Sequence, residues 1–186
     1  MKRYAAGDVA AFERLYARHE GAVYRFLLRS VGIAAIADEL LQDVWMSVIR
    51  SADGYEARAL FSTWLYRIAR TRLIDHWRAR DPAVLVSLDA AARDDGDSHW
   101  AGALAADRSV EPEVRALDRA QARAFTCAVE ALPAAQREAF LLHVQADLTL
   151  AQVSAVTGVG VETIKSRLRY ASDKLRGAMQ EWRNDR

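Results

Sequence analysis

Arginines and aromatic rings crowd one short stretch of the chain. In FSTWLYRIARTRLIDHWRAR, residues 61–80, the cations are Arg67, Arg70, Arg72, Arg78 and Arg80, opposed only by Asp75, so the local net charge is +4. Trp64, Tyr66, His76 and Trp77 lie among them. Guanidinium forks match phosphate oxygens, and flat rings offer stacking faces to unpaired bases. This combination suits a reader of partly single-stranded nucleic acid. An ordinary amphipathic helix, with a solvated arginine face and tryptophans in its core, accounts for the same residues.

Two further clusters carry possible chemistry. ADELLQDVWMSVIR, residues 37–50, sets Asp38, Glu39, Gln42 and Asp43 beside a broad apolar face of Leu40, Leu41, Val44, Trp45, Val48 and Ile49. Early acids suit the positive end of a helix; an acidic docking face for a basic partner is the alternative. Near the other end, Thr149-x-x-Gln152 matches a capping box, Gly158-Val159-Gly160 makes a turn, and a longer helix follows. Val161, Ile164, Leu168, Ala171 and Leu175 form its apolar stripe; Glu162, Thr163, Lys165, Ser166, Arg167, Arg169 and Tyr170 make its other face. A short capped helix, a glycine turn and a longer helix with polar first turns is a helix-turn-helix pattern, in which the second helix enters the major groove. Its first residues reach base edges while Lys and Arg hold phosphates.

Composition bounds the remainder. The chain has 186 residues and a net charge of +1, so any nucleic-acid binding comes from local segregation of charge. Hydrophobic residues make up 52%, with 9 Gly and 3 Pro, which favours helices over strands. A single cysteine, Cys127, excludes an internal disulfide and gives no CxxC metal knuckle; it lies among apolar residues and is expected to be packed. His19, His76, His99 and His143 are scattered without metal-ligand spacing, and no nucleophile elbow or glycine-rich phosphate loop occurs. No apolar run approaches the ~18 residues of a membrane span, and the charged start MKRYAAGDVAAFERL lacks a signal-peptide core. The expectations are no metal, no cofactor, no catalysis and a reducing, cytoplasmic setting.

The periodicity predicts an all-α chain of two small helical domains. Asp8 caps a first helix with Phe12, Leu15 and Tyr16 inward, Gly21 interrupts it, and a second helix runs over 22–29 until Gly32. The third helix is 37–50, and 51–60 is a polar connection. In the fourth, Phe61, Leu65, Ala69, Leu73 and Trp77 recur every fourth residue, with Ser62 as N-cap. The first domain is thus 1–80. Asp81-Pro82 breaks the helix. Residues 81–118 carry nine acids and three arginines, net −6, and 81–110 reads as a flexible acidic linker. It is a solubilising tether, or an acidic segment that occupies a basic nucleic-acid channel or screens the arginine helix. The second domain, 111–186, has helices over 112–132, 134–145 with Phe140, Leu141 and Val144 inward, 150–157, and from 161 onward.

Taken together these segments resemble a known family. ALPAAQREAFLLHVQADLTLAQVSAVTGVGVETIKSRLRYASDKLR is similar to region 4 of the bacterial RNA polymerase sigma factors. GDVAAFERLYARH, ADELLQDVWMSVI and FSTWLYRIARTRLIDHWR are similar to region 2. Two such domains without a large region between them resemble the extracytoplasmic-function (ECF) group. The resemblance implies an alternative sigma factor that binds core RNA polymerase and directs promoter-specific initiation, by binding and strand separation without covalent catalysis. It implies core-polymerase binding by Asp38, Glu39, Leu40, Gln42 and Asp43. It implies −10 contacts by Tyr55, Trp64, Arg67, Arg70, Thr71, Asp75, His76, Trp77 and Arg78, and −35 contacts by Glu162, Thr163, Lys165, Ser166, Arg167, Arg169 and Tyr170. Its partners are core RNA polymerase, promoter DNA and an anti-sigma factor. A helix-turn-helix regulator with an N-terminal helical sensing domain is the other reading; it needs neither the Arg/Trp helix nor the acidic face.

Overall fold

The computed structural model describes residues 1–57, 59–80 and 112–184, with side chains from residue 119 in the last segment. The linker at 81–110 and its Asp81-Pro82 break lie outside the described residues. Every regular element described is helical. A short α1, Lys2–Ala5, precedes α2, Val9–Val31. Asp8 caps α2, its Oδ1 accepting from the Ala11 amide at 3.0 Å, and Gly32 ends it in the left-handed region at φ 74°. Gly21 does not interrupt α2. A glycine inside a helix costs only about 1 kcal/mol relative to alanine. Val23, Phe26 and Leu27, just beyond it, are almost fully buried and hold the helix in register.

Two residues separate α2 from α3, Ala34–Arg50. This helix starts three residues earlier than its periodicity predicts, so no acid lies in its first turn. Helix α4, Phe61–Arg80, follows a ten-residue connection. The Trp64 amide donates to the Leu60 carbonyl at 3.3 Å, so the helix closes on Leu60, and Ser62 lies within the first turn rather than capping it. Val44, Val48, Leu65, Ala69 and Leu73 close against the α2 residues as the core of this half.

In the other half, α5, Pro112–Glu130, leads to α6, Ala134–Phe140, which passes into a π-helical turn, Leu141–Gln145. The wider turn carries Val144 outward, to 54% exposure, and places Leu142 in the core instead. Cys127 is exposed on α5, not packed, because Val129 takes the inward position. Helix α7, Leu150–Thr157, and α8, Val161–Asn184, form the helix-turn-helix. Both arms of the capping box are present: Thr149 N donates to Gln152 Oε1 at 2.8 Å, and Gln152 N to Thr149 Oγ1 at 3.3 Å. Gly158 takes φ 78°, and Ser154 Oγ donates to the Val159 carbonyl at 2.6 Å, fixing the turn.

The two halves are not apart. Helix α7 lies on α4, the π turn and α6 touch α2, and the buried residues of both halves form one cluster. Among the polar ties across the boundary is an ion pair, Arg70 Nε to Glu138 Oε1, at 2.8 Å.

Thr149→Ala should lower stability by about 1 kcal/mol, read from urea denaturation, because it removes one arm of the box. An unchanged midpoint would show the cap to be dispensable. The imidazole of His19 is held below its ordinary pKa, first by burial and then by Arg18. The unfolded chain therefore binds the proton more readily, and stability should fall as pH drops below ~6.5. His19→Gln should flatten the wild-type slope between pH 7 and 5; parallel curves for the two proteins would contradict this.

Candidate nucleic-acid and protein interfaces

The rotation of α4 decides what its side chains can do. Leu65, Ala69, Leu73 and Trp77 point into the core, with Trp77 only 8% exposed. Trp77 thus belongs to the fold and offers no free ring. Tyr66 is buried edge-on to Phe26, ring centroids 5.4 Å apart, and burial pushes its phenol up to about 12. Thr63 and Arg70, seven residues apart and so on one face, turn toward the second half of the chain. What remains outward is a stripe of Arg67, Thr71, Asp75 and Arg78.

A shallow cavity of about 260 Å³ lies beside that stripe, lined by Ser47, Ser51, Trp64, Arg67, Ile68, Thr71 and Arg72. The ring of Trp64 is half-buried, with Tyr55 edge-on at 4.9 Å and Phe61 tilted at 5.8 Å. Arg72 Nε donates to Ser47 Oγ at 3.1 Å, and Ser47 Oγ donates to the Asp43 carbonyl at 2.6 Å. This chain anchors one wall of the cavity to α3. Asp75 holds Arg78 at 3.2 Å and Arg72 at 3.5 Å. The cavity therefore joins an aromatic wall, guanidinium groups and hydroxyls, a set that fits a nucleobase and its phosphate. His76 is held below its ordinary pKa by burial, then by Arg80, against an opposing pull from Glu39. The acidic face of α3 thus lies close enough to α4 to be felt there.

On α3, Asp38, Glu39, Gln42 and Asp43 are exposed, and Leu40 is buried beneath them. With their helix starting at Ala34, the first-turn dipole no longer accounts for them. A groove of about 380 Å³ runs between α2 and α3, lined by Tyr16, Glu20, Asp38, Leu41, Gln42, Trp45 and Met46. Trp45 is wedged against Phe12 and Tyr16 at 5.7 and 4.9 Å, making an aromatic floor under acidic walls. Tyr16 and Glu20, from a helix not singled out in the sequence, complete this site.

The recognition helix divides likewise. Glu162 and Lys165 pair at 2.7 Å on the outside. Thr163 and Ser166 are half-buried, and Arg169 sits over the Tyr170 ring at 4.7 Å. Arg167 is not on the outer face. It is 4% exposed and close enough to Glu138 to pull its pKa down, though burial wins and leaves that carboxyl raised, with Arg70 the stronger of its two cations. Glu138 was legible as a lone acid within the apolar rhythm of Ala135, Ala139 and Leu142. Among the described residues no group of His, Cys, Asp and Glu could hold a metal ion, and no helix is long and apolar enough to cross a membrane.

Comparison with known proteins identifies the two halves. Residues 15–82 match the family model of Sigma-70 region 2, and residues 122–175 match that of Sigma-70, region 4. Residues 15–82, read alternatively as a sensing domain, are thus region 2. The ECF RNA polymerase sigma factor RpoE of Cereibacter sphaeroides is 34% identical over 92% of this chain and 88% of its own. RNA polymerase sigma factor CarQ of Myxococcus xanthus is 32% identical over 97% of this chain and 96% of its own. Two solved structures share the fold at 23% identity. CnrH, in complex with the cytosolic domain of CnrY, has a TM-score of 0.65 over 96% of this chain and 94% of that one. The sigma factor RpoE from Bartonella quintana, in complex with the anti-sigma factor NepR, has 0.67 over 92% and 98%. With both regions present in order and relatives aligned nearly end to end, the chain belongs to the ECF group of the sigma-70 family of RNA polymerase sigma factors.

Proposed function

We propose that this sigma factor reads the −10 element with the outward stripe and cavity of α4, the −35 element with the start of α8, and core polymerase with the acidic groove of α2 and α3. The observation that carries the first assignment is the cavity in which Trp64, Arg67, Thr71 and Arg72 meet. Region 2 would span 1–80 and region 4 111–186. Strand opening then proceeds by capture. A base leaving the duplex finds a ring face and a polar wall, which offsets an unpairing cost of a few kcal/mol. Tyr55 and Phe61 hold the Trp64 ring from two sides, so little ordering is left to be done on binding. No bond is made or broken by the protein, and no cofactor is called for. The chain acts in the cytoplasm, where polymerase and promoter are.

The −35 contacts fall to Glu162, Thr163, Lys165, Ser166, Arg169 and Tyr170. Arg167 serves the fold beside Glu138, and Trp77 serves the core of region 2. Arg70 is available to DNA only after it leaves Glu138. Leu40 supports the docking face from beneath. CnrH and the Bartonella quintana RpoE, both sigma factors, are each bound by another protein in their solved structures, in one case named as an anti-sigma factor. This supports an anti-sigma partner for the present chain.

Run-off transcription with purified core polymerase tests the reading. Arg67→Ala should lower the salt dependence of the promoter complex by about one unit, as the loss of one phosphate contact would. It should also slow opening of the −10 thymines to permanganate; wild-type opening with a wild-type salt slope would remove Arg67 from the interface. Reversing Asp38 and Asp43 to Lys should weaken core binding about tenfold or more while thermal unfolding stays put, because both groups are exposed. Undiminished co-purification with core polymerase would place the docking face elsewhere.

A further inference from the structure

Arg67 and Arg72 both line the cavity beside Trp64, but they are held differently. Arg72 is half-buried and fixed at two points. Its Nε–H donates to Ser47 Oγ at 3.1 Å, and its Nη1 lies 3.5 Å from Asp75 Oδ2. Ser47 is only 6% exposed, and its hydroxyl proton goes to the Asp43 carbonyl at 2.6 Å. With that proton committed, the oxygen can only accept from Arg72. Arg67 is exposed and has no share in these contacts.

These contacts restrict the kind of group that Arg72 can recognise. A guanidinium carries its N–H donors in one plane. Ser47 takes the Nε hydrogen and Asp75 faces Nη1, so the Nη2 donors remain, in an orientation set before any DNA arrives. Donors held in advance lose little freedom on binding. The charge of Arg72 is already matched by Asp75, which also holds Arg78 at 3.2 Å. A phosphate arriving there gains little, because it must displace that carboxylate or lie beside it. A neutral base edge needs only the hydrogens left over. Two adjacent acceptors suit them best: O6 and N7 of guanine, or O2 and N3 of an unpaired cytosine. Adenine alternates donor and acceptor along each edge, and thymine sets an N–H between its two oxygens, so each turns a donor against a donor.

We propose that Arg72 is the base-reading cation of this cavity, that Ser47 positions it, and that the two together select guanine or cytosine over adenine or thymine at one unpaired position of the −10 element. Trp64 supplies the stacking face. Arg67, exposed and outside the Ser47–Asp75 clamp, holds the adjoining phosphate. Base reading and phosphate binding are thus divided between two arginines of one helix. Ser47 belongs to α3, so the reader on α4 is aimed from the helix that also carries the acidic face. The proposal rests on the −10 assignment of α4 made above.

Promoter fragments randomised over both elements, captured as open complexes by the full chain with core polymerase and then sequenced, test this. Wild type should show one −10 position where guanine or cytosine exceeds adenine and thymine about tenfold or more, the scale of a bidentate contact. Arg72→Ala should flatten that position alone, and should shift the salt slope by much less than the ~1 unit expected for Arg67→Ala. Ser47→Ala should flatten the same position with Arg72 still present, and should add nothing once Arg72→Ala is made. A merely structural role for Ser47 would spread the loss over all positions and would add to the first change. Circular dichroism and thermal unfolding show that the variants keep their fold. Unchanged selectivity in Arg72→Ala would overturn the proposal. So would a preference for adenine or thymine at the position it alters, or an even loss everywhere with the salt slope down by ~1. The underlying assignment is read separately. Slowed opening in Arg67→Ala beside an intact profile in Arg72→Ala removes only the base reader. Wild-type opening, slope and profile in both variants remove α4 from the interface altogether.

Discussion

A single helix, α4, has to satisfy three neighbours at once, and this constraint shapes the molecule. A twenty-residue helix presents about five and a half turns, enough for one stripe per neighbour. Leu65, Ala69, Leu73 and Trp77 face α2 and α3; Thr63 faces α7 and Arg70 faces α6; Arg67, Thr71, Asp75 and Arg78 face solvent. None of the three sets can move without the other two, because the backbone that carries them is rigid and its core side is close-packed. The aromatic wall at Trp64 and the ion pair at Arg70 are therefore mechanically connected, although they point in different directions.

The sequence made the helices legible and the rotation of α4 largely illegible. The period of Phe61, Leu65, Ala69, Leu73 and Trp77 located the core stripe, which should have counted against Trp77 as a stacking ring: a residue cannot both continue the apolar period and stand free. Arg167 was harder. It lies among polar residues, and only the lone acid at Glu138 hints that a cation must come inward to meet it. Burying either charge alone is costly, whereas a buried acid paired with Arg70 and within the influence of Arg167 is compensated. Gly21 misled because local propensity is weaker than the burial of Val23, Phe26 and Leu27 beyond it. Val144 misled because a π turn changes the period within five residues.

Charge in this chain is separated by surface rather than by domain. The net charge is +1, yet α3 exposes acids while α4 and α8 expose cations. Glu39 is felt at His76, so the acidic surface proposed for docking and the basic surface proposed for reading adjoin on one side of region 2. An acidic patch beside a basic one repels the DNA backbone from the docking groove. It also gives a basic partner surface and a phosphate chain adjoining but distinct places to sit. That sorting needs no large total charge, only short distances between the patches.

Several cations of α4 and α8 are themselves engaged. Asp75 holds Arg72 and Arg78, Glu162 holds Lys165, and Asp173 holds Arg176 at 3.1 Å. Exposed pairs of this kind contribute ~0–1 kcal/mol, so a phosphate can displace the carboxylate at little cost, but the gain per contact is correspondingly small. Neither half can then bind tightly by electrostatics alone, and useful affinity must come from engaging both elements through one tether. Weak individual contacts would keep each proposed reading surface off DNA until both are engaged together.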